Sequence, residues 1–125
     1  MVTLAFGHCQ TVCPLVVREA SAAQRALSDL DVVLIVITLD PWRDTPARLS
    51  HIATSWDLGP DSYVLSGSVV AVNQTLDAWR VARSRDLRTG DITHPPLVLL
   101  IDRAGMIAHA TRGDARTIEQ LARTL

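Results

Sequence analysis

The chain has 125 residues, enough for one domain with a hydrophobic core of its own. Hydrophobic residues make up 48% and charged residues 20%, which is a globular composition and not a disordered or fibrous one. With 12 basic and 13 acidic residues the net charge is -1, so no field draws the chain to nucleic acid or an anionic membrane, and no apolar run reaches the ~18 residues of a membrane span.

The chain opens on a short buried strand, residues 2–6, with no basic leader or cleavage pattern ahead of it. An abrupt start of this kind is expected of a piece lacking an upstream segment. Gly7 ends the strand and a loop from His8 to Cys13 follows. Pro14 suits a first helical turn, where a missing N–H costs nothing, and the helix runs to about residue 28. Val16, Ala20, Ala23 and Leu27 recur at helical spacing and mark its inner face. Residues 32–39 form a continuous apolar run rich in Val and Ile, the pattern of a parallel strand covered on both faces. Asp40-Pro41 breaks it. Thr45-Pro46 reads as a cap and first-turn proline for a helix with Leu49, Ile52, Ala53 and Trp56 inward.

Residues 63–65 read as an edge strand, and Ser68 begins a helix with Val69, Val72, Leu76 and Trp79 on one side. Residues 84–93 are polar and read as a loop. Residues 97–101 form a second fully apolar strand, and residues 106–110 return as its hairpin partner. A last helix over about 115–125, capped by Asp114, turns Ile118, Leu121, Ala122 and Leu125 inward. The order β-α-β-α-β-α-β-β-α predicts one α/β domain over residues 1–125. Its sheet is mixed, of four to five strands, with helices on both faces in the thioredoxin-like topology.

Chemistry concentrates in the first βα loop, where open α/β sheets bind ligands. Cys9 and Cys13, the only cysteines, stand four apart. A bridge that short does little for stability, so the pair points to redox or metal chemistry. Cys13 falls at or beside the helix N-terminus, where N–H groups and the helix dipole favour a thiolate below the free value of ~8.5. Three intervening residues permit both a disulfide and convergence on one ion. Two soft thiolates favour Cu(I), with zinc next. A third donor is needed, and His94, held in Thr93-His94-Pro95-Pro96 just before the last apolar run, is the best placed. A Cys₂His set of this kind serves Cu(I) or Cu(II).

His8 adjoins Cys9 and is an alternative ligand or thiol-tuning group. His51 and His109 are expected to be structural. Arg80, Arg83, Arg85 and Arg88 form either a solvated face or a dock for an acidic partner, and Trp42 lies where it would shield the site.

Three segments together carry a family resemblance. Gly7-His8-Cys9-Gln10-Thr11-Val12-Cys13-Pro14 resembles the HCxxxCP signature of the Sco/SenC copper chaperones. Thr38-Leu39-Asp40-Pro41-Trp42-Arg43-Asp44-Thr45-Pro46 resembles their DPxRDTP segment, and His94 stands where their metal-binding histidine precedes a strand ending in Asp102. The resemblance implies a metallochaperone rather than an enzyme, holding copper on Cys9, Cys13 and His94 for assembly of the CuA centre of cytochrome c oxidase. It implies a periplasmic or extracytoplasmic place with a membrane anchor absent from this chain, and Asp40 near the site as an orienting group. The expected partner is the oxidase subunit carrying CuA, or another copper or thiol protein, met by a monomer. The family also has members that act as thiol-disulfide reductants, with Cys9 attacking and Cys13 resolving. Pro96, where thiol oxidoreductases of this fold carry a cis proline, keeps that alternative open. A peroxide-reducing reading would use Thr11 and Arg43 beside the cysteines.

Overall fold

The computed structural model describes residues 1–9 and 12–125; Gln10 and Thr11, within the predicted cysteine loop, lie outside the described residues. Five strands form one mixed sheet, in the spatial order residues 62–65, 34–38, 2–5, 98–101 and 107–111. Strand β1 (Val2–Ala5) is central, and all four of its residues are buried, so both faces of the sheet are covered there. Helix α1 (Val12–Ala26) follows and buries Val16, Val17, Ala20 and Ala23, with Leu27 just beyond its end. Strand β2 (Leu34–Thr38) returns parallel to β1, pairing Val2 with Ile35 and Ala5 with Thr38. It starts two residues later than the apolar run suggests, because Val33 is exposed and Val32 is tied into a turn by its bond to the Leu30 carbonyl.

After β2 the backbone makes a single 3-10 turn (Pro46–Arg48) and then helix α2 (Leu49–Ser55), in which only Ile52 is buried. Thr45 stands at the cap position without a side-chain cap bond. Strand β3 (Ser62–Leu65) is the parallel edge. Helix α3 (Val69–Ala78) is capped by the Ser68 hydroxyl, which accepts from Ala71 N at 3.1 Å, and buries Val72 and Leu76. Strand β6 (Val98–Ile101) pairs antiparallel with both β1 and β7 (Ile107–Thr111). Helix α4 (Ala115–Ala122) begins at Asp114, whose carboxylate accepts from Thr117 N at 2.9 Å. The helix stops short of Leu125, which is exposed and not inward as its spacing suggests. Arg123 forks onto Asp29 at 2.9 and 3.1 Å, and Glu19 accepts from Ala115 N, so α1 and α4 are fastened at both ends.

The polar stretch 84–93 is not a plain loop. Strands β4 (Ser84–Arg85) and β5 (Ile92–Thr93) make a separate two-stranded hairpin, pairing Ser84 with Thr93 and Arg85 with Ile92. Its turn is closed by Asp86, whose carboxylate accepts from Arg88 N and Thr89 N, and by Gly90 at φ +75°. Two-residue ladders leave no alternating pattern to read, and Ile92 alone sends an apolar side chain into the core from the paired residues.

Candidate metal centre

The first βα connection and the end of hairpin β4–β5 meet beyond β1. Cys9 follows the β1 exit, its N–H donating to the Phe6 carbonyl at 3.1 Å. Cys13 is the second residue of α1 and is fully buried. His94 comes directly after β5. One donor atom from each of Cys9, Cys13 and His94 lies within 4.8 Å of the other two, the single such cluster among the described residues. The closest approach is Cys13 Sγ to His94 Nε2 at 3.2 Å. Cys13 N donates to Cys9 Sγ at 3.3 Å, setting a helix N-terminal N–H against that sulfur. Both cysteines are thiols here, with no bridge between them.

The imidazole is held from two sides. Its edge meets the Phe6 ring, with centroids 5.9 Å apart and planes at 68°. Its Nδ1 sits 3.0 Å from the Pro95 carbonyl, which only accepts, so the proton resides on Nδ1 and the Nε2 lone pair faces the sulfurs. Burial lowers the His94 pKa below its ordinary value, partly offset by that carbonyl, and so favours the neutral, ligating form.

Cys13 departs from expectation. Burial drives its thiol well above the ordinary range, with the Cys9 hydrogen bond next in size and a backbone contact to Phe6 opposing. The helix N-terminus does not overcome the lost hydration of a side chain at 0% exposure. Cys9 is half-buried and lines an open cleft of about 430 Å³ with His8, Val12, Asp91, Ile92, Thr93 and His94. His8 is exposed there and outside the donor cluster. His51 is exposed on α2, and His109 Nε2 meets Thr124 Oγ1 at 3.0 Å. Among the described residues no peptide bond is cis, Pro96 included.

Segment 40–44 braces this site from behind. Asp44 is buried, and its Oδ2 accepts from Gly7 N at 2.9 Å and from the Thr38 hydroxyl at 2.7 Å. Asp40, at 0% exposure, pairs with Arg43 Nε and is not in the donor cluster. Arg43 also donates to the Gly90 carbonyl at 2.7 Å. The family resemblance points to Asp40 as the orienting group, whereas in the structure Asp44 reaches the cysteine loop and Arg43 the histidine arm. The signal available was three charged residues, Asp40, Arg43 and Asp44, packed into the five positions 40–44 around Pro41. Trp42 does not shield the sulfurs. It is exposed beneath the Arg85 guanidinium, 4.4 Å from its ring centroid, in a groove next to the site. Arg83 is bound to Asp77 and Asn73, so the arginine group is not a uniform solvated face.

Three donors around one ion at ~2.0–2.3 Å each stand about 4 Å apart. The arrangement therefore needs only a small adjustment to close, and two thiols with a neutral imidazole suit copper chemically.

Known proteins share this frame. An SCO2-like protein of Rickettsia typhi is 25% identical over 112 residues, 84% of this chain and 54% of that protein, so the chain spans about half of its relative's length. The copper-bound ScoI of Bradyrhizobium japonicum superposes with a TM-score of 0.81 at 29% identity, covering 98% of this chain and 80% of that one. The copper-bound ScoI of Arabidopsis thaliana gives 0.85 at 20% identity, over 99% and 83%. The SCO1/SenC sequence profile runs from residue 1 to residue 125. With the profile covering its whole length and the same thioredoxin-like sheet beneath the paired cysteines, this chain belongs to the SCO1/SenC family.

Proposed function

We propose that this chain is a copper-binding metallochaperone whose cargo ion is held by Cys9 Sγ, Cys13 Sγ and His94 Nε2. The observation that carries the reading is the convergence of two sulfurs and an imidazole nitrogen within 4.8 Å from segments 81 positions apart. Copper-bound ScoI structures of the same fold support the choice of metal. The ion displaces the Cys13 proton, since thiolate and not thiol is the ligand, so affinity rises with pH. A structural neighbour described as a member of the Sco family of cytochrome c oxidase assembly proteins supports delivery to the CuA-bearing subunit, and a SCO1/SenC family lipoprotein of Bacillus anthracis supports an extracytoplasmic position. The test is copper stoichiometry and competition affinity of the reduced protein. One ion per chain is expected, with affinity falling sharply in Cys9→Ser, Cys13→Ser and His94→Ala; unchanged affinity in His94→Ala refutes the ligand set.

The unequal exposure of the two thiols favours a second reading, disulfide reduction. The Cys9 thiolate would attack a partner disulfide to form a mixed disulfide. Cys13 would then displace the partner as a thiol, leaving Cys9 and Cys13 bridged. Turnover of a protein disulfide that persists in His94→Ala supports this role.

A further inference from the structure

The arm that presents His94 is not part of the main sheet. Hairpin β4–β5 has two residues per strand, and so short a ladder does not hold itself in place. Ile92 anchors it in the core on one side. On the other, the guanidinium of Arg43 lies flat against Gly90. A Cβ at Gly90 would stand 3.3 Å from Nη1 and 3.4 Å from Cζ, and its φ of +75° likewise favours glycine. Nη2 donates to the Gly90 carbonyl at 2.7 Å while Nε engages the fully buried Asp40. One residue further, Asp44 holds Gly7, two positions before Cys9. A single rigid segment thus touches both approaches to the donor cluster.

We propose that Arg43 is a positioning residue: its fork ties the His94-bearing hairpin to the segment that braces the cysteine loop, and so sets the imidazole-to-sulfur spacing. The inference rests on reading Cys9, Cys13 and His94 as a copper site, yet the tie itself exists in the copper-free protein. Only arginine spans Asp40 and Gly90 together, because an ammonium offers no planar fork.

The test compares wild type, Arg43→Ala and Arg43→Lys. Lysine keeps a positive charge beside Asp40 while losing the fork. Amide hydrogen exchange of copper-free protein reads the hairpin directly through Asp86 N–H to Asp91 O and Gly90 N–H to Asp86 O, at 2.8 and 2.7 Å. Copper competition reads the site. Both variants are expected to speed exchange at residues 86 and 90 and to weaken copper binding ~10–100-fold, the range for lost outer-shell partners. In a His94→Ala background the copper effect of Arg43 substitution should vanish, which a general loss of structure would not produce. Unchanged exchange, or an equal affinity loss with and without His94, overturns the proposal. If wild-type copper binding proves independent of His94, the ligand reading fails, and exchange alone judges the tie: faster exchange upholds it and unchanged exchange overturns it. Should Arg43→Ala not fold, Asp40→Asn/Arg43→Met removes charge and tie together and is measured in its place.

Discussion

Asp44 offers a sharp separation between the need for an acceptor and the need for a charge. Among the described residues, the hydrogen bonding of its carboxylate runs through Oδ2, to Gly7 N and the Thr38 hydroxyl, while the buried Oδ1 has no hydrogen-bond partner. Asp44→Ala removes the shared acceptor. Hydrogen bonds to a charged group contribute about 1.5–3 kcal/mol each, so the expected loss for the two is about 3–6 kcal/mol. That is a large part of a domain stability of about 5–15 kcal/mol. Asp44→Asn keeps an oxygen where Oδ2 stands and sets its amide where Oδ1 already has no partner. It trades two charge-assisted bonds for neutral ones and removes a buried charge, for a net loss of about 1 kcal/mol. Urea unfolding of the copper-free protein measures both. The Ala midpoint should fall well below the Asn midpoint at similar slope. An Asn variant as damaged as Ala would show that the charge itself is required. An Ala variant within about 1 kcal/mol of wild type would refute the bracing role altogether.

Other outcomes follow from the same geometry. Because the folded protein lowers the His94 pKa, the unfolded chain binds that proton more readily. The contribution of His94 is therefore intact above the ordinary value of 6.5 and is lost as pH falls through the folded value. Copper-free unfolding midpoints from about pH 8 to about pH 5 should show this loss, with a shallower fall in His94→Gln; identical profiles would contradict it. A thiol-alkylating reagent should label Cys9 in the cleft well before Cys13, whose thiol is fully buried and held protonated; peptide mass spectrometry reporting equal rates would overturn the assignment of exposed and buried partners.

The parts of the site visible in the sequence were those with local signatures. Cys9 and Cys13 stand beside a first-turn proline after a strand, and His94 precedes an apolar run on a proline-stiffened corner. Each is a short-range pattern, and the βα order brings them to one end of the sheet. The bracing roles were not visible, since nothing in the spacing of Arg43 and Asp44 shows that they reach Gly90 and Gly7, 47 and 37 positions away. The hairpin 84–93 is not legible in the sequence because two-residue strands carry no period. The direction of the Cys13 shift is not legible in the sequence, because the helix dipole can be read from position whereas complete burial in the core is a tertiary fact.

The donors divide two and one along the chain: a sulfur pair four positions apart, and an imidazole delivered on a hairpin that stands apart from the five-stranded sheet. With an ion held as proposed, an outward movement of that hairpin would remove one donor and leave the two sulfurs in place. An incoming thiol would then replace the imidazole before either sulfur was released, so that handover would run by stepwise ligand substitution.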